Sequence, residues 1–174
     1  MKRQKYPASI VKVGAVLYRA HGYEYDGRIK VDVDEWIVRS IQRKRGAKSR
    51  FGMTLPRSLQ EDAVYVNVTE RVQGITWGKR SSKHGDVGWL KSISQEFRDQ
   101  FKVGEDLPPG LYTTKLAALK YALATELESV KWYENKLKEK LPVDERQECE
   151  EELGEVRRVI TALKTRITKA RKTK

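Results

Sequence analysis

The chain carries two histidines, His21 and His84, and one cysteine, Cys149, and these are all of its imidazole and thiol groups. Neither histidine stands at metal-ligand spacing from another ligand, and no glycine-rich phosphate loop or nucleophile elbow accompanies them. Asp32, Asp34 and Glu35 are close enough in sequence to raise the idea of a metal-dependent nuclease centre. Acids alternating along one strand, however, ordinarily form its wet face. The expectation is a protein without catalytic residues, metal or cofactor. Cys149 reads as a small apolar residue in a helix seam, and a lone thiol fits a reducing cytoplasm.

Binding chemistry is better represented. The net charge is +12, and residues 1–110 hold 21 basic against 13 acidic side chains, an excess of +8, while 111–174 hold 15 against 11, an excess of +4. Surplus Lys and Arg attract polyanions or acidic protein surfaces. Between Trp36 and Gln60 stand seven basic residues and no acid: Arg39, Arg43, Lys44, Arg45, Lys48, Arg50 and Arg57. With Gly46, Ala47 and Ser49 among them, they suit an arm that follows a phosphate backbone, each contact releasing counterions. Lys79, Arg80, Lys83 and His84 form a second cluster in a glycine-containing stretch flanked by Trp77 and Trp89. Rings beside cations could stack bases, although a tryptophan next to a strand more often belongs to a core.

Aromatic residues mark two further surfaces. Tyr23 and Tyr25 lie near a hairpin tip and fall on one face, but Glu24 and Asp26 beside them would repel phosphate, so that tip suits a protein partner. Tyr121 and Trp132 fall within about 20° of one another on a helix and nearly opposite its leucine stripe. That second apolar face must cover the β domain, a second copy of the chain, or a foreign partner.

These groups sit on two kinds of element. Residues 10–20 are rich in β-branched and aromatic types and read as a strand bent at Gly14. Asp26-Gly27 signals a tight hairpin turn, because both residues tolerate positive φ. Strands are expected at 28–33, 35–41, 62–69 and 71–77, with polar and irregular chain over 42–56, which makes about five strands in 80 residues. Residues 78–91 read as a loop, and Ile93, Phe97 and Phe101 predict a short helix near 93–101. Pro108-Pro109-Gly110 marks a boundary between a basic β-rich domain, 1–107, and a helical hairpin, 111–174. In the hairpin, Leu116, Leu119, Leu123, Leu127, Val130, Tyr133 and Leu137 predict a helix over about 114–140. Cys149, Leu153, Val156, Ile160, Leu163 and Ile167 predict a second over 144–171, N-capped by Asp144. Asp144 to Glu155 is acidic and every charged residue beyond is Arg or Lys, which matches the helix dipole. At about 40 Å the hairpin is long enough for part of it to project, and self-association into a four-helix, coiled-coil-like dimer is one use for it.

The fold class expected is therefore α+β: a small antiparallel β-barrel or bent sheet with a short helix, then an antiparallel helical hairpin. Val13-Gly14-Ala15-Val16-Leu17-Tyr18, the Gly27 turn and the Ile29–Val33 strand resemble an SH3-like barrel of the Tudor or KOW kind. Gly27-Arg28-Ile29-Lys30-Val31, Ile75-Thr76-Trp77-Gly78-Lys79-Arg80 and Thr113-Thr114-Lys115-Leu116-Ala117-Ala118-Leu119-Lys120 look like small accessory proteins of tailed bacteriophages. That resemblance implies a role in host or viral nucleic-acid metabolism, or in blocking a host defence protein, and a place in the host cytoplasm. No run approaches the roughly 18 apolar residues of a membrane span, and the basic start has no apolar stretch to make a signal peptide.

Two functions are expected from these features. One is a non-enzymatic nucleic-acid-binding accessory protein that uses Arg39, Arg43, Lys44, Arg45, Lys48 and Arg50, helped by Lys79, Arg80 and Lys83, for DNA or RNA phosphates. The other is an adaptor or inhibitor that grips a protein through Tyr121 and Trp132 or through Tyr23 and Tyr25.

Overall fold

A computed structural model describes residues 6–45, 62–71 and 95–172. Lys48, Arg50, Lys79, Arg80 and Lys83 lie outside the described residues, as do the expected strand beyond Arg71 and the loop over 78–91. The fold is α+β, as the sequence predicts. Four strands, β1 (Val16–Tyr25), β2 (Arg28–Arg45), β3 (Asp62–Glu70) and β4 (Arg98–Lys102), form one antiparallel sheet in the linear order β1-β2-β3-β4. Two helices, α1 (Lys115–Lys136) and α2 (Val143–Lys172), follow. No helix among the described residues is long and apolar enough to cross a membrane.

Asp26 and Gly27 adopt φ of 57° and 68°, the two successive positive values of a type I′ turn, so the Asp-Gly pair reverses the chain where the sequence places it. Three expectations need correction. The strands expected at 28–33 and 35–41 are one strand of 18 residues that continues through Arg45 into the stretch read as loop. Asp34 does not interrupt it, because a polar residue at an outward position leaves the ladder intact. The first strand begins at Val16, since Ala8–Ile10 is a 3-10 turn and Gly14 takes φ 87°. Finally, among the described residues of the segment expected as helix, Gln95–Phe97 is a helical turn and Arg98–Lys102 is β4. The four-residue recurrence of Phe97 and Phe101 is compatible with both periodicities, and pairing with β3 settles the choice for strand.

The chain divides into two compact units, one of Tyr18–Asp34 with Gly110–Lys174 and one of Lys2–Leu17 with Glu35–Pro109. The first unit thus joins the β1-β2 hairpin arms to the helices, where the sequence assigns all strands to one front domain. Its core gathers Ala20, Tyr112, Ala118, Leu119, Ala122, Val159, Leu163 and Ile167, with Tyr18, Ile29, Val31 and Val33 packed against them. Tyr18 and Tyr112 exchange backbone hydrogen bonds of 2.7 and 2.9 Å. The Thr114 hydroxyl accepts from the Ala117 N–H at 3.2 Å and caps α1. Helix α2 starts at Val143, so Asp144 lies inside its first turn beside Glu145 rather than before it, where both carboxylates still favour the helix dipole.

Apolar burial on α1 differs from the leucine stripe. Ala118, Leu119 and Ala122 are buried, whereas Leu127 is 42% exposed. Small alanines let neighbouring elements approach, so the face that packs is set by size as well as hydrophobicity. Farther along the same helical pair, burial and the nearby Glu155 carboxylate push the Glu126 carboxyl up from its usual 4.5. The folded protein holds that proton more tightly than the unfolded chain, so stability falls as pH rises from the unfolded value through the raised one and stays lower above it. Glu126→Gln should therefore raise the thermal midpoint at pH 7 and leave it unchanged at about pH 3, where both states are protonated. Equal midpoint shifts at the two pH values would show that the carboxylate carries no such cost.

Candidate nucleic-acid interface

The second unit buries Ile10, Leu17, Trp36, Val38, Val66, Val68, Phe101 and Leu107. The strand register sorts the sheet residues into two faces. Val38 opposes Val68, Ile41 opposes Val66, and Val66 opposes Phe101, which together make the apolar face. One residue is inserted in β2 between Val38 and Ser40, a bulge that lets two successive residues, Val38 and Arg39, both be buried.

The opposite face is polar. Its rows are Ser40, Asn67 and Gln100, then Gln42, Tyr65 and Lys102, with Thr69 and Arg98 paired beside the first. The Asn67 amide nitrogen donates to the Ser40 hydroxyl at 2.9 Å, and its oxygen accepts from the Gln100 amide, so one central asparagine ties β2, β3 and β4 together. Gln42, Arg98 and Gln100 are exposed, Ser40, Tyr65, Asn67 and Lys102 half-buried, and Thr69 buried. None of these rows contains an acid. Glu105, in the turn after β4, approaches Lys102 at 3.7 Å, a loose and largely exposed pair of little energetic weight. Glu35 sits at the far end of β2, where it is bonded to Arg71 at 3.3 Å. Alternation along strands produces this segregation, since every second residue from Ser40 and from Tyr65 is hydrophilic.

Three residues of the acid-free sequence run, Arg43, Lys44 and Arg45, are strand positions paired in register with Val64, Ala63 and Asp62. Pairing fixes their backbone, so they do not belong to an unstructured arm. Arg39 stands apart. It is 7% exposed, and burial, with the charge of Arg71 second, lowers its guanidinium pKa to about 10. Arg39 is thus enclosed at the bulge, whereas the sequence groups it with cations offered to phosphate. The sequence missed this because a bulge shifts the alternation by one residue without any local signature.

In the first unit, His21, Tyr23 and Tyr25 alternate on the side of β1 away from Ala20. The Tyr23 hydroxyl donates to Asp32 at 2.7 Å, an attachment that holds its pKa above the ordinary phenol value. His21 Nδ1 lies 3.2 Å from the Asp34 carboxylate and its ring stacks on Tyr23 with centroids 5.5 Å apart. Burial pushes the Asp34 carboxyl up, and His21 pulls it back. Tyr25 is 60% exposed, with the Lys30 ammonium 4.2 Å over its ring. The Asp32 and Asp34 carboxylates are thus engaged by the tyrosine and the histidine of the same hairpin. Among the described residues no three His, Cys, Asp or Glu side chains come together in a metal-binding group.

The two aromatics assigned to one face of α1 are separated. Tyr121 packs near the unit's core, 5.4 Å from the Tyr112 ring, while Trp132 is 56% exposed and touches Tyr133 edge-on with Lys136 5.2 Å over it. Compared with known proteins, the chain matches no family model, no curated protein and no solved structure.

Proposed function

We propose that the protein is a non-enzymatic nucleic-acid-binding accessory protein whose contact surface is the polar face of β2, β3 and β4 together with the basic run after it. The observation that carries this reading is electrostatic. A sheet face whose rows hold Lys102, Arg98, three amides and a tyrosine but no acid is continued in sequence by Arg43, Lys44, Arg45, Lys48 and Arg50, also without an acid. Unmixed positive charge of this kind neutralises phosphates and releases counterions. An accessory role is in keeping with the resemblance to tailed-phage proteins.

Binding to a labelled oligonucleotide, followed by anisotropy from low to physiological salt, tests the reading. With those five basic residues changed to glutamine, affinity at low salt should fall. The slope of log K against log salt should shrink by up to roughly 3.5, since each phosphate of a single strand that is no longer neutralised takes away about 0.7. An unchanged slope in the variant overturns the assignment of these residues.

A second reading, a protein-binding adaptor, is favoured by the exposure of Tyr25 and Trp132. Exposed rings with a cation above them suit protein interfaces, where aromatic residues are enriched. Nuclease-treated pull-down separates the two: a stoichiometric protein partner that is lost on Trp132→Ala or Tyr25→Ala supports the adaptor, and co-purified nucleic acid supports the first reading.

A further inference from the structure

Resting on that reading, we infer that the ligand is a single-stranded polynucleotide, held with its bases against the polar sheet face and Tyr65 as a stacking platform. Three features of the second unit lead there. Tyr65 is on β3, between Gln42 on β2 and Lys102 on β4, so the ring lies in the middle strand of the face and not at an edge. A duplex major groove about 12 Å wide admits one helix or a two-stranded ribbon, whereas three strands span about 10 Å between backbones before side chains are added. With its side chains the three-stranded face is wider than the ribbon such a groove ordinarily admits. A strand of unpaired nucleotides can lie across the face.

Spacing agrees. Successive rows of one face are about 6.8 Å apart, twice the roughly 3.4 Å separation of bases along a duplex strand. Bases seated over neighbouring rows must be drawn apart from one another, which an unpaired strand permits and a duplex does not. Freed base edges then need donors and acceptors together, and the primary amides of Gln42, Asn67 and Gln100 supply both. The Ser40, Asn67 and Gln100 chain orients the middle amide before any ligand arrives. Lys102 and Arg98 on β4 add cations at the margin of the face, where a sugar-phosphate backbone would run.

Anisotropy with a fluorescein-labelled 12-nucleotide single strand, as DNA and as RNA, and with a duplex of the same length provides the test. We expect either single strand to bind at least tenfold tighter than the duplex. Tyr65→Ala should weaken single-strand binding by roughly 5- to 100-fold, the range for removing one base stack, while Tyr65→Phe retains it. Because Tyr65 is half-buried, the exposed pair Gln42→Glu with Gln100→Glu serves as an independent variant. It places carboxylates on the face without touching the core and should also abolish the preference for single strands. Equal affinity for single strand and duplex, unaffected by either variant, overturns this inference and leaves phosphate binding by the basic run standing. Failure of every oligonucleotide to bind at low salt overturns the underlying reading itself.

Discussion

Leu163→Ala should lower the stability of the helical unit by about 2–5 kcal/mol, the range for a large-to-small change at a fully enclosed site. Leu163 has no exposed surface and sits in the cluster that joins α2 to α1 and to the hairpin arms. The side chain is surrounded by elements fixed through other contacts, so the space it leaves would not collapse fully. For a chain of this length the loss corresponds to a fall of roughly 5–20 °C in the helical melting transition followed by circular dichroism. Leu127→Ala is the matched control. It removes the same atoms from a position 42% exposed and should cost no more than about 1 kcal/mol. Equal shifts in the two variants would show that Leu163 is not the centre of this core.

The second large effect concerns the approach of α2 to the hairpin. A methyl group placed on Gly22 would stand 2.5 Å from Cγ1 of Val159, well inside van der Waals contact. Gly22→Ala must therefore push the helix away or force Val159 off its rotamer, at about 1–3 kcal/mol. Nothing in the backbone requires glycine there, since Gly22 is not among the positive-φ residues, so the cost is purely one of space. Shortening the opposing side chain should restore room. In the Val159→Ala background the same glycine change should be close to neutral, giving a coupling of about 1 kcal/mol or more in a double-mutant cycle. Additive losses would mean that the two residues do not meet.

These two positions illustrate how far the sequence could be read. The Asp26-Gly27 turn, the alternating strand after it and the helix periodicities of α1 and α2 were legible because each is a local rule written in consecutive residues. Gly22 was not. It reads as one more residue of a turn-rich stretch, and only the helix that arrives 137 positions later makes its missing side chain meaningful. Arg39 was grouped with its cationic neighbours for the same reason, since burial at a bulge depends on the partner strand. The candidate interface lay half in view. Its charge was evident along the chain, but the polar face combines Ser40, Asn67 and Gln100 from three strands, and their pairing is a matter of register. Tyr65 passed for an ordinary strand residue until Gln42 and Lys102 were placed at its sides. Tyr121 and Trp132 show the converse. Helical angle put them on one side, and the end of the neighbouring core decided that only Tyr121 would be covered.

The β1-β2 hairpin has a further implication. Both strands run without a break from one compact unit into the other, β1 passing between them at Leu17 and Tyr18 and β2 at Asp34 and Glu35. No single cleavage of the polypeptide can part the two units cleanly, because a cut at the Pro109-Gly110 junction keeps all of the second unit on one fragment but strands the helices without the hairpin that completes their interior. Recombination at the most obvious seam in the sequence would therefore pass on the helices with their core open on the hairpin side.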